Sequence, residues 1–465
     1  SELPETGPWL LKARATSDDL KKSPLLFNAK LEGEKTATIV DATIPDITAP
    51  QTLLAKVTLD AQSLSTLGNL FDKELPDKDL KLSSNISINP GEYKIDKLLM
   101  LLGNGKILSE LAYTIPSAGT DGRKNITGQI TIQDVDISSL YSLGGEQVAS
   151  ETEAIEAEVK VIEEGVEKVV VEIKEKTSSG DKKLFSTDPL AVGTLQDYDV
   201  DLEIDAKGFS VHEGVSVDGN MAVTLDHGLL TVEPFTFAGD DGGTADGEIT
   251  LDARNQAANL NVQLDFKDVV HPRLGGKFTL DANLEGTGDS IAALMASLDG
   301  IFVARINDVQ LEKTRLNQFG AGLVSQINPL SSDVTTLECA VVRLDITDGM
   351  VNFEKKMAAQ TTEVTWIGGG EINLKTEELD VGIAPKARKA ISSLTNIGLA
   401  SLVHVGGTLA EPSVGIDAMD IAKKYAGYTA LIATGGLSFL AQKAYDNRVS
   451  NIDQCERILA DLKDE

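Results

Sequence analysis

The stretch Cys339-Ala-Val-Val-Arg-Leu-Asp-Ile-Thr-Asp-Gly349-Met-Val351 decides how the rest of the chain is read. Apolar and polar residues alternate up to an Asp-Gly pair and alternate again beyond it. That is the pattern of two half-buried strands joined by a tight turn. Gly368-Gly-Gly-Glu-Ile-Asn-Leu374 and Leu379-Asp-Val-Gly-Ile383 continue the meander, and a helix-prone spacer follows them. Leu402-Val-His-Val-Gly-Gly-Thr-Leu-Ala-Glu-Pro412 reads as one more strand, expected to bend at Gly406-Gly407 and to stop at its proline. These segments carry no catalytic motif. They describe a sheet with one greasy face.

The same period of two runs outward through most of the chain. Strands are predicted over Trp9–Ala15, Leu25–Leu31, Leu53–Leu59, Leu80–Ile88, Tyr93–Ile95, Lys106–Ile115 and Asn125–Ile132. They resume from Leu195, at Val200–Ala206, Val215–Leu225, Leu229–Phe237, Gly247–Ala253, Leu260–Phe266, Lys277–Gly286 and Ile301–Leu311. Helical spacing predicts short helices over Ser63–Phe71, Ile291–Leu298 (with Ser290 as N-cap) and Leu316–Ser325, and a longer helical segment over 417–446. Gly91-Glu-Tyr-Lys-Ile95, Gly228-Leu-Leu-Thr-Val232 and Gly349-Met-Val-Asn-Phe353 each open a similar unit. This is a loose repeat of the kind that lengthens one sheet. The fold class is therefore mainly β: a long twisted antiparallel sheet with a few short helices and a C-terminal helix. Four regions follow: an N-terminal β part over 1–145, an insert over 146–186, a second β part over 187–416, and a helical segment and tail over 417–465. In the insert Ile155, Val159, Ile162, Val166, Val169 and Ile173 recur at helical spacing among many charges. Its β-branched content favours a mobile linker over a packed coil.

Lys and Arg number 42 against 72 Asp and Glu, a formal charge of −30. Nucleic acid is excluded as a partner, because phosphate neutralisation needs a basic face. The two cysteines, Cys339 and Cys455, form no cluster with histidine, so no structural zinc is expected. They fit two buried thiols or one disulfide equally. The N-terminal end shows no signal peptide or spanning helix. The 417–446 segment is short and glycine-interrupted for a membrane span, so a buried or amphipathic helix is expected there.

Catalytic constellations are missing. There is no Gly-x-Ser-x-Gly elbow, no His-Glu-x-x-His and no phosphate-binding Gly-x-x-x-x-Gly-Lys. Gly103-Asn-Gly105 reads as a hairpin turn. His212, His227, His271 and His404 are scattered surface residues, with His404 on the polar side of its strand. The acidic turn Gly239-Asp-Asp-Gly-Gly-Thr-Ala-Asp246 lacks calcium-loop spacing, so no metal is assigned. No cofactor is expected and the chain is read as not an enzyme.

A sheet with one apolar face needs a second layer, and few helices are on hand. Either the sheet folds onto itself as a sandwich, or it curls into a trough that a ligand fills. About 20 strands at about 4.8 Å would make a trough on the order of 90–100 Å long. Its interior would suit acyl chains, since a 16-carbon chain in water forfeits roughly 12 kcal/mol. Alternation assigns Val217, Val223, Leu264, Leu280, Ile372 and Val381 to that interior. A scaffold binding proteins without lipid, and a glycosidase-like enzyme, are the competing readings.

Several motifs resemble the AsmA family of bacterial envelope proteins. They are the 339–349 run, Gly369-Gly-Glu-Ile-Asn-Leu-Lys-Thr-Glu-Glu-Leu-Asp-Val381 and Val405-Gly-Gly-Thr-Leu-Ala-Glu-Pro-Ser-Val414. Upstream, Phe185-Ser-Thr-Asp-Pro-Leu190, Asp226-His-Gly-Leu-Leu-Thr-Val-Glu-Pro-Phe-Thr-Phe237 and Gly286-Thr-Gly-Asp-Ser-Ile-Ala-Ala-Leu-Met-Ala-Ser-Leu-Asp-Gly300 join them. The resemblance covers about 185–460 well and 1–145 weakly. It implies a repeating β-groove of the bridge-like lipid transfer type, with phospholipid acyl chains as ligand. It also implies a periplasmic location, an inner-membrane anchor outside this chain, possible outer-membrane or periplasmic protein partners, and a role in outer-membrane homeostasis. An oxidising periplasm in turn favours a Cys339–Cys455 disulfide that pins the tail to the last sheet unit.

Overall fold

The computed structural model describes residues 10–19, 24–33, 35–47, 51–65, 75, 77–117, 122–137, 183–212, 215–270, 276–312, 334–354, 356–362, 364–387, 403–415 and 454–460. Its strands form one 22-stranded sheet. The first eight are β1 (Leu10–Thr16), β2 (Leu25–Glu32), β3 (Thr36–Ile44), β4 (Leu53–Ala61), β5 (Leu80–Asn89), β6 (Glu92–Leu102), β7 (Gly105–Thr114) and β8 (Lys124–Gln133). Then come β9 (Tyr198–His212), β10 (Val215–Asp226), β11 (Leu229–Gly239), β12 (Thr244–Asp252), β13 (Ala258–Val270), β14 (Lys277–Gly288) and β15 (Asp299–Glu312). The last are β16 (Val334–Thr347), β17 (Met350–Asn352), β18 (Met357–Thr361), β19 (Val364–Asn373), β20 (Glu378–Ala387), β21 (Val403–Gly407) and β22 (Pro412–Gly415). Three short helices are described: α1 (Val192–Asp197), α2 (Ile291–Ala296) and α3 (Gln454–Ala460).

Each strand pairs with its neighbour in sequence, and β17 and β18 together fill one place between β16 and β19. All pairs are antiparallel except β8 with β9, which run parallel. The expectation of an antiparallel sheet thus holds up to this one seam. A parallel pair needs a crossover connection. The chain leaves β8 at one rim and must return to the opposite rim before β9 begins. The predicted 146–186 insert falls within that crossover, and residues 138–182 lie outside the described residues, as do the predicted helices at 316–325 and 417–446 and most of that at 63–71.

The returning segment runs along the rim that carries the turns at Gly91, Gly228 and Gly349. Glu377, 2% exposed, accepts the Leu184 and Phe185 N–H groups at 2.6 and 3.1 Å. Leu190 N–H donates to Asp289 O at 2.7 Å, and Gln196 Nε2 to Ala253 O at 2.8 Å. The strap so formed ends in α1, so strands resume at Tyr198 rather than at Leu195. The three glycines do equivalent work. Gly91, Gly228 and Gly349 all have positive φ, and their carbonyls accept from Ile115, Ala253 and Leu374 at 2.7, 2.7 and 2.8 Å. His227-Gly228 and Asp348-Gly349 have positive φ at both positions, as a type I′ hairpin requires.

Other differences have local causes. β6 runs on to Leu102, beyond the predicted Ile95, because a bulge with Lys97 at φ 56° shifts the phase of alternation. β3 escapes the pattern because Thr36, Thr38 and Thr43 blur its two faces. Pro412 does not end a strand. It opens β22 at the sheet edge, where no N–H is needed.

Candidate functional site

Register and alternation assign every paired strand residue to one of two faces. One face of β8 and β9 carries Ile126, Ile130, Ile132, Val200, Leu202 and Ile204; the other carries Asn125, Gln129, Asp199, Asp201, Glu203 and Asp205. The same division continues on both sides of the seam, so parallel pairing leaves the apolar face unbroken. Among the described residues of strands β2–β14 the only charged residue that the register places on this face is Lys124.

Burial shows how the sheet curves. In the strands from β1 to β14 the buried residues include Thr36, Ala61, Leu80, Ser84, Ser109, Ala206, Leu225, Ala258 and Ala282, and all lie on the apolar face. On the opposite face Leu26 and Leu54 are 50% and 48% exposed. The described helices pack at β9, β14 and β16–β18, so none spans β1–β8. In a single layer, a face that hides small side chains among their own neighbours is concave. The sheet is a trough, not a sandwich.

The six residues assigned to the interior by alternation all fall on this face. Val223 opposes Leu202 and Val232, and Val217 opposes Phe209 and Gly239. Leu264 opposes Gly247 and Ala282, and Leu280 opposes Phe266 and Ala304. Gly247 leaves no room for a side chain, since a Cβ there would meet Leu264 Cδ2 at 2.6 Å. Ile372 and Val381 differ from the other four. Val381 is buried in a packed cluster with Leu298, Ile346, Val351 and Phe353, against which Ile372, Met295 and Val405 also pack. At this end α2 closes over the face, its Leu294 backbone set against Gly286 and Gly288. Ser290 caps α2 by accepting from Ala293 N–H at 3.2 Å, as predicted.

The opposite face mixes charged and polar residues with scattered leucines, and gathers a core of its own at β16. There Cys339 is bonded to Cys455 of α3, and Val341, Ala358 and Ile458 close a second core around the bond. Gln454 N–H donates to Gln360 Oε1 at 2.6 Å beside it. The tail is therefore fastened to the back of the sheet. His404 also lies on the back, with Nε2 2.8 Å from Asp380 Oδ1. Asp241 braces its own hairpin, accepting from Gly243 and Val270 N–H at 3.0 and 3.2 Å. At the lower rim Asp199, Asp226 and His227 converge, but the Arg123 guanidinium already sits 2.8 Å from Asp199 Oδ1 and takes the place of a cation. Arg254 beside Asp252 holds that carboxyl down at about 2.

At the rim of the seam lies a group that sequence reasoning passed over. Tyr93 and Tyr113 stack with centroids 5.9 Å apart, and the Lys124 ammonium lies 4.8 Å from the centre of the Tyr198 ring. Partial burial, then the neighbouring Tyr198 hydroxyl, push the Tyr113 phenol up. Their clustering depends on the parallel seam, which local alternation does not reveal.

No family model matches the chain. It is similar to AsmA family protein YhjG of Escherichia coli (strain K12), 27% identical over 282 residues. The match covers 57% of this chain and 40% of that relative, so the chain spans less than half the length of the relative it matches. Among the described residues no helix is long and apolar enough to cross a membrane.

Proposed function

We propose that this chain is an AsmA-like, non-catalytic part of a periplasmic carrier that holds phospholipid acyl chains in its trough, in support of outer-membrane homeostasis. The observation that carries the reading is the concave apolar face, continuous through the parallel seam and bearing one charge among the described residues of β2 to β14. Twenty rungs at about 4.8 Å give a path on the order of 95 Å. A 16-carbon chain lying along it avoids roughly 12 kcal/mol of exposure to water. No cofactor is needed for such work. An inner-membrane anchor outside this chain and envelope protein partners complete the proposal. The edge of β1, unpaired among the described residues and with Leu10 and Leu11 51% and 65% exposed, favours a second reading, a scaffold that pairs with protein strands without lipid.

The test is native mass spectrometry of the purified chain with extraction of bound lipid, followed by uptake of a fluorescent acyl-chain probe. Co-purifying phospholipid, and uptake abolished by Leu280→Asp with the fold intact, are expected. A lipid-free protein that takes up no probe refutes the carrier and leaves the scaffold.

A further inference from the structure

We propose that Lys124, Tyr113 and Tyr198 form a headgroup site at the lower rim of the trough, holding the phosphate of a diacyl amphiphile whose chains lie inward on the apolar face. The proposal rests on the carrier reading and names where on the trough an anionic ligand is oriented.

The register sets the site out. Tyr93 opposes Tyr113 across β6 and β7, Tyr113 opposes Ile126 on β8, and Lys124 opposes Tyr198 across the parallel seam. All four polar residues sit within two positions of the same ends of their strands, on the apolar face. The next residues inward on that face are Ile95, Leu111, Ile126 and Val200. A ligand with its polar end at the rim therefore meets ammonium and phenol first and hydrocarbon beyond.

Lys124 is available to a ligand. Its Nζ lies 3.5 Å from the Tyr198 hydroxyl, and among the described residues no carboxylate lies within ion-pair distance of it. Asp197 acts on it only through space, and the Tyr198 hydroxyl holds the ammonium in its charged form. Arg123 is committed elsewhere. It donates to Asp199 Oδ1 at 2.8 Å, and to the Tyr198 and Leu195 carbonyls, and so positions Tyr198. The ligand's charge follows by complementarity. The chain carries a net −30 and lines its back face with carboxylates, which repel an anion nearly everywhere. Among the described residues of β2–β14, Lys124 is the one cation that the register sets on the apolar face, so an anionic head meets attraction there. One ammonium and two phenol hydroxyls supply donors for phosphate oxygens.

Isothermal titration of the full chain with dioctanoyl phosphatidate and with dioctanoyl glycerol, both below their micellar concentrations, tests this. The phosphatidate is expected to bind more tightly, by about fivefold or more at low salt. Lys124→Gln should remove that preference and leave dioctanoyl glycerol unchanged, while Lys124→Arg should retain it. Tyr113→Phe, which cannot alter charge, should weaken only the phosphatidate. Equal binding of the two probes to the unaltered chain would overturn the headgroup site and leave the trough standing. Failure of both probes to bind would remove the carrier reading as well. Displacement of the phosphatidate by equimolar inorganic phosphate would also overturn the proposal, since the chains would then contribute nothing.

Discussion

Breaking the Cys339–Cys455 bond is expected to cost stability without touching the trough. The bond spans 116 residues of sequence. Closing a loop of that length restricts the unfolded chain by about 4–5 kcal/mol in the chain-entropy account. Release of α3 also uncovers Val341, Ala358 and Ile458 on the back of the sheet. Among the described contacts of the helix are the Gln454–Gln360 hydrogen bond and an Arg305–Glu456 pair at 3.1 Å whose acid is 61% exposed. An exposed pair of that kind contributes about 0–1 kcal/mol. The double substitution Cys339→Ser, Cys455→Ser should therefore lower the unfolding free energy by about 4 kcal/mol or more in urea. Acyl-chain uptake should persist, because the bond and α3 lie on the face opposite the trough. Thiol titration of the denatured, unreduced wild type should find no free thiol. A stability loss under about 1 kcal/mol would show that the bond does not close this loop. A parallel loss of uptake would refute the independence of the two faces.

Three further outcomes follow from placement. Leu280→Asp should fold and lose probe uptake, whereas Val381→Asp should unfold, since it buries a charge in the Leu298–Phe353 cluster at a cost of several kcal/mol; circular dichroism separates the two. Glu377→Ala should free the Leu184 and Phe185 N–H groups, lower stability by about 2–4 kcal/mol, and open the 184–191 segment to limited proteolysis. Asp252 has its pKa lowered from 3.8 to about 2 by Arg254, so its contribution is present above pH 3.8 and lost as pH falls through about 2. Asp252→Asn should remove that small contribution, within about 1 kcal/mol for a surface pair, and acid titration of both proteins measures it.

The strands were legible wherever one residue in two is apolar and its neighbours are charged, as in β9 and β13. Register then carried the alternation across the sheet, and all six trough residues chosen by period alone fall on one face. Period alone could not say which parts of that face are open. Ile372 and Val381 carry the same local pattern as Leu264 and Leu280, yet Leu298 covers them because α2 folds over from the β14–β15 connection. Bulges were invisible for a related reason, since Lys97 changes the phase without changing the composition. The Lys124 and tyrosine group was also hidden. Tyr93, Tyr113 and Lys124 sit on successive antiparallel strands, but Tyr198 reaches them only through a parallel pairing 74 residues away in sequence.

That parallel seam explains how a sheet of this length is built. Hairpins add strands while a meander continues, and each unit turns on the same rim at Gly91, Gly228 or Gly349. Joining two meanders requires only that the second begin beside the first with matching phase. At β8 and β9 the phase matches: Ile126 meets Val200, Gly128 meets Leu202, Ile130 meets Ile204. An antiparallel join would have let the chain turn back at once. The parallel one forces it to cross from rim to rim and return along the strap, which ties the second meander together from Glu377 to Ala253. The strap and α2 thus close one end of the trough while the seam keeps its middle continuous. A groove made this way lengthens by adding units and needs no new core, because each strand hides its apolar face only as far as its neighbours curl around it.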